Sequence, residues 1–162
     1  GQLDIARLAQ PPVPGSDLPP PPQSGGDDRL LVVDTGWPLT TALLHTDRRE
    51  WLNPGQRVVV VTRLTVPAVR QTEHLLAALG PETCGEACVA AVGPNRWPRA
   101  VEASCGPNLR RLQTAGRLVR IPMEARLEAR GLTPDALPRS VATAGRELAA
   151  LLVASEPPKE PR

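Results

Sequence analysis

Continuously apolar runs set the framework of this chain. Leu30-Leu31-Val32-Val33, Val58-Val59-Val60-Val61 and Ala87-Cys88-Val89-Ala90-Ala91-Val92 contain no charged or amide side chain. A strand exposed on one face alternates apolar and polar residues, whereas a strand covered on both faces has no reason to do so. The runs therefore predict buried strands over residues 29–34, 57–62 and 87–92. A shorter segment, residues 117–121, reads as an edge-like strand, ended by Pro122 with its missing amide donor. Between the strands the period changes to that of a helix. Val69, Leu75, Leu76 and Leu79 form an inner stripe over residues 66–79, with Arg70, Gln71 and Glu73 outside. Pro67 falls in the first turn, where a missing N–H costs nothing, and Gly80-Pro81 stops the helix. Residues 98–105 and 108–114 read as short helical pieces. Residues 139–153 form a final helix, apolar at Val141, Ala144, Leu148, Ala149 and Leu152.

Strands alternating with helices imply parallel crossovers. The expected fold is α/β, a three-layer, mostly parallel sheet flanked by helices. Its expected limits are residues 28–153. Residues 1–27 read as a short helix followed by a Pro/Gly-rich linker that includes Pro19-Pro20-Pro21-Pro22, a composition that favours extended backbone. Residues 154–162 read as a disordered tail.

Composition narrows the function. The 162 residues contain three Trp, no Phe and no Tyr, so the core must be built from Leu, Val, Ala and Ile. Arg supplies nearly all the positive charge, the imprint of a GC-rich genome. A net charge of +2 with 17 acidic residues argues against general nucleic-acid binding. Arg110-Arg111, Arg117 and Arg120 read as a solvated helix end. No stretch approaches the length needed to span a bilayer, and no signal-peptide pattern opens the chain. Three cysteines without a framework suit a cytoplasmic location. Cys84 and Cys88 have a spacing that can chelate a metal. A structural zinc site needs about four ligands, however, and neither His45 nor His74 is suitably spaced. Cys88 reads instead as a small residue entering a strand and Cys84 as a loop thiol. Neither His stands in a hydrolase motif, and Glu73, Glu124 and Glu128 read as solvated helix residues.

One constellation carries candidate chemistry. Val33-Asp34-Thr35-Gly36 places an Asp just beyond an apolar strand, at the carboxyl edge where open α/β sheets bind ligands. Such an Asp can hold a magnesium ion through water, and Gly36 would let the backbone approach a γ-phosphate. The remaining half of a nucleotide site, a glycine-rich loop with a Lys, is not in the chain, whose only lysine is Lys159.

The order LLVVDTGW, RVVVVTRLTVPAVRQTEHLLAAL, ACVAAVGPNRW, GRLVRIPMEARLEARG and VATAGRELAALL resembles the C-terminal half of MinD/ParA-family P-loop ATPases. The resemblance covers residues 29–153 and implies that fold, incomplete relative to the whole P-loop domain. It implies nucleotide-binding roles for Asp34, Thr35 and Gly36 as the γ-phosphate switch. Asn95 and Arg96 would lie near adenine, and Ile121-Pro122 would form the base-side wall. Because the phosphate loop is missing, the expected function is a regulatory or positioning module acting through a homodimer or a partner chain that completes the sheet. Mg-ATP would bind only if an N-terminal half were supplied. Two alternatives are a C-terminal fragment of an active ATPase, which an N-terminus without Met favours, and a flavodoxin-like or receiver-like binding module.

Overall fold

The computed structural model describes Val32, Asp34, residues 57–131 and residues 133–153. The chain divides into two units, Gly1–Asn53 and Pro54–Arg162. Of the first unit only Val32 and Asp34 are described, both exposed and outside regular structure. Val32 is 75 % exposed, which corrects the expectation that it is a buried strand residue. The expectations for residues 1–27, Thr35, Gly36, His45 and residues 154–162 lie outside the described residues.

The second unit is an α/β arrangement around a three-stranded, wholly parallel open sheet. Its strands are β1 (Val59–Arg63), β2 (Cys88–Gly93) and β3 (Leu118–Pro122), side by side in chain order. Each matches an expected segment within a residue or two. The connections hold α1 (Val66–Ala78), α2 (Pro81–Glu86), α3 (Arg99–Ala103) and α4 (Pro107–Thr114). After β3 come α5 (Ala125–Arg130) and α6 (Arg139–Val153). Helix α2 was not expected, and α5 only as the helical setting of Glu124 and Glu128, without bounds. Each is six residues long, too short for apolar periodicity to declare itself.

Local chemistry explains where the helices begin and end. Thr65 caps α1 through its side chain, which accepts the Ala68 N–H at 3.4 Å, and Pro67 sits in the first turn as expected. Gly80, at φ 82°, makes the break between α1 and α2, a left-handed backbone that a side chain would disfavour. Pro81 then opens α2 without wasting a donor.

The register assigns side chains to faces. Val60, Val89 and Leu118 are partners across the sheet, as are Thr62, Ala91 and Arg120. This face meets α1 and α4. Thr62 and Thr72 are buried, and their hydroxyls hydrogen-bond each other at 2.8 Å, which satisfies the polar atoms that this packing removes from water. On the opposite face, Ala90 and Val119 are buried beneath α6, which packs on β3 and β2. Val61 shares that face but stands on β1, and it is 70 % exposed.

Two glycines are set by close approach. A Cβ at Gly93 would lie 2.6 Å from Leu64 Cβ, so β2 can meet the β1–α1 turn only without a side chain there. A Cβ at Gly106 would lie 2.4 Å from Glu73 Cδ. Glu73 is not the outward-facing helix residue that its position in the stripe predicts. Its Oε1 accepts the Asn108 N–H at 2.8 Å and its Oε2 the Leu109 N–H at 3.0 Å. Because Gly106 has no side chain and Pro107 no N–H, a carboxylate from α1 caps α4.

Candidate functional site at the carboxyl edge of the sheet

The parallel strands end together, and this creates the site. Gly93, the last residue of β2, is in register with Pro122, the last of β3, and Met123 N–H donates to the Gly93 carbonyl at 3.1 Å. The Asn95-Arg96 loop and the Ile121-Pro122 segment thus emerge next to each other at the carboxyl edge, where open α/β sheets bind ligands. Asn95 and Arg96 are exposed, and Ile121 and Pro122 are half-buried. Arg120 fixes the loop: its Nη1 donates to the Asn95 carbonyl at 3.0 Å. The four positions that the family resemblance assigns to this unit are therefore brought together. Asp34 belongs to the first unit, and its role is not part of this geometry.

Beside this edge, on the α1/α4 face of the sheet, lies a cleft of about 530 Å³. Arg96 and Trp97 from the β2–α3 loop line it, with Glu102 on α3, Gln113 on α4 and Leu118 and Arg120 on β3. Sequence reasoning missed all of these as a group except Arg96. The available signal was parity: Leu118 and Arg120 are two residues apart on one strand and so share a face. The expected arginine cluster is dispersed. Arg120 reaches Asn95, Arg117 Nη1 donates to the Glu86 carbonyl at 2.8 Å, and Arg110 and Arg111 are exposed on α4.

The remaining candidates have structural explanations. Cys84, Cys88 and Cys105 are all buried and free, and Cys84 lies within α2 rather than in a loop. Burial pushes both the Cys84 and the Cys105 thiol above their usual range, opposed by Arg111 at Cys84 and by Arg110 at Cys105. Such thiols are poor nucleophiles. Glu128 pairs with Arg63 at 3.2 Å, and Glu124 accepts the Ser140 hydroxyl at 2.7 Å. His74 is exposed on α1. Among the described residues no group of three His, Cys, Asp or Glu side chains could hold a metal ion. Among the described residues no helix is long and apolar enough to cross a membrane. No protein-family model, curated protein or solved structure matches this chain.

Proposed function

We propose that this chain is a MinD/ParA-like module, incomplete relative to the P-loop ATPase fold, with a regulatory or positioning role in the cytoplasm exerted through a partner chain. The observation that supports it is the meeting of Asn95-Arg96 with Ile121-Pro122 at the carboxyl edge of a parallel sheet. In the family reading these segments flank adenine, while Asp34, Thr35 and Gly36 belong to the γ-phosphate switch and Asp34 to the magnesium shell. The chain offers no lysine for the phosphates, since Lys159 is its only one. Phosphate contacts supply most of the charge-assisted binding to a nucleotide. Tight Mg-ATP binding therefore requires an N-terminal half that carries a phosphate loop.

A second reading, the C-terminal part of an active ATPase, draws on the same edge and on Val61. This valine lies in a strand of interior composition yet is 70 % exposed, a surface that suits cover by another layer. In the first reading the covering layer comes from a homodimer or a partner chain, and in the second from the N-terminal half of the ATPase. Titration calorimetry of Mg-ATP into the isolated chain tests the proposal. The expected result is no tight binding, with self-association or partner capture detected by light scattering over a concentration series. A micromolar dissociation constant for the isolated chain would overturn it.

A further inference from the structure

We infer that the cleft beside β3 is a binding site for a small aromatic anion that carries a hydrogen-bond donor. The inference shares Arg96 with the nucleotide reading but does not depend on it, because Glu102, Gln113, Leu118 and Arg120 line the α1/α4 side of the sheet. The ordinary fate of surface arginines is solvation. Three observations set this cleft apart.

The first is convergence. Two guanidiniums, a carboxylate, an amide, a half-buried indole and an apolar side chain line one concavity, and they come from one strand, two helices and a loop. About 530 Å³ is within the usual size range of small-ligand sites. The second is unspent charge. Among the described residues no ion pair joins Glu102 to Arg96 or Arg120. Arg96 makes no hydrogen bond to any described residue, and Arg120 commits one nitrogen to the Asn95 carbonyl. Guanidinium remains charged at any physiological pH and offers a planar fork for carboxylate or phosphate oxygens. The third is the surrounding field. Residues 57–153 hold thirteen arginines against eight carboxylates, whereas the remaining residues hold six basic side chains against nine acidic ones.

The lining also defines the ligand. Trp97 and Leu118 supply flat and apolar surface for a ring. Arg96 and Arg120 take its anionic group. Glu102 repels a second negative charge but accepts from an N–H or O–H, and Gln113 can pair with either a donor or an acceptor. The combination disfavours inorganic polyanions and favours a ring with one acidic end and one donor end. Arg120 links the cleft to the carboxyl edge, since the same guanidinium holds the Asn95 loop.

The test uses the full chain with three probes: 4-aminobenzoate, benzoate and inorganic phosphate. Binding is read from the Trp97 indole N–H signal by NMR. Saturable binding of 4-aminobenzoate is expected at about 1 mM or tighter, with benzoate weaker and phosphate weakest. Arg96→Gln, which removes no contact to a described residue, should weaken 4-aminobenzoate by about tenfold or more. Glu102→Gln, which replaces a charged acceptor with a neutral one, should reduce the preference for 4-aminobenzoate over benzoate without weakening benzoate. The inference is overturned if no probe saturates, if Arg96→Gln leaves affinity unchanged, or if phosphate competes as well as the aromatic probes. The last result would mean a diffuse positive surface. Mg-ATP calorimetry is indifferent to Glu102→Gln, so failure here and failure of the nucleotide reading can be told apart.

Discussion

The two faces of the sheet are built to different standards. On the α1/α4 side, Val69, Leu76, Leu109 and Leu112 are completely or almost completely buried, a threonine pair crosses from strand to helix, and a carboxylate from one helix caps the next. On the α6 side only Ala144 of the covering helix is buried, Val141, Leu148, Leu151 and Leu152 are half-buried, and Val61 is open. The strands are mostly apolar on both sides, so strand composition does not create the difference. The number of covering helices does: α1, α4 and their short neighbours serve one face, and α6 alone serves the other. An apolar strand position without a covering layer is the feature that the partner reading explains.

Core truncation should separate the faces most strongly. Leu76→Ala on α1 should cost about 2–5 kcal/mol, because a fully buried leucine leaves a cavity that the tight face cannot collapse around. Leu148→Ala on α6 should cost about 1 kcal/mol. Denaturant unfolding of the two variants gives both figures, and equal losses would break the comparison.

The Glu73 cap predicts a coupled pair. Glu73→Ala strands two helix N–H groups and should cost about 1–3 kcal/mol. Gly106→Ala forces the same carboxylate aside and should cost a similar amount. Combined, they should cost little more than either alone, because one cap cannot be lost twice. Additive losses in the double-mutant cycle would mean that the close approach and the cap are unrelated.

A smaller effect is expected with pH. The Cys84 and Cys105 thiols are held above their ordinary value of 9.0 by burial. Their protonated forms are therefore favoured in the folded state. The stability they contribute is complete below pH 9, then declines as pH rises through the folded values. Replacing both with Ser or Ala should flatten that alkaline decline in thermal scans; a slope unchanged by the replacement would assign it to other groups.

The smallest effect is the most diagnostic for association. Val61→Thr keeps a β-branched side chain at an exposed position and should change unfolding by no more than about 0.5 kcal/mol. If a partner covers this face, the same substitution weakens association in light scattering while leaving unfolding alone. A large loss of stability in dilute monomer would show that Val61 is covered from within the chain.

Much of the second unit was legible in the sequence. Uninterrupted apolar runs marked β1 and β2, Pro122 marked the end of β3, and the α1 stripe was correct at Val69, Leu75 and Leu76. The final helix matched at both ends, although Ala149 in its expected stripe is exposed and half-buried Leu151 takes its place. The resemblance singled out Asn95, Arg96 and Pro122, and they stand at the carboxyl edge of the sheet. The cleft was not legible. Its polar members are spaced along 25 residues and read individually as surface charge.

The sequence by itself determined the order and type of the major elements, because strand and helix periodicity, proline at helix starts and glycine at breaks act over a few residues. Tertiary structure alone decided what Glu73, Arg120 and Gly106 do. Their roles depend on atoms 33 to 36 residues away for Glu73 and Gly106 and 25 for Arg120, brought within hydrogen-bonding or contact range by the parallel register and by α1 packing on α4. No local signal distinguishes a glutamate that caps a distant helix from one that faces water. Only the packing of the two helices brings the unpaired N–H groups at the start of α4 within reach of that carboxylate.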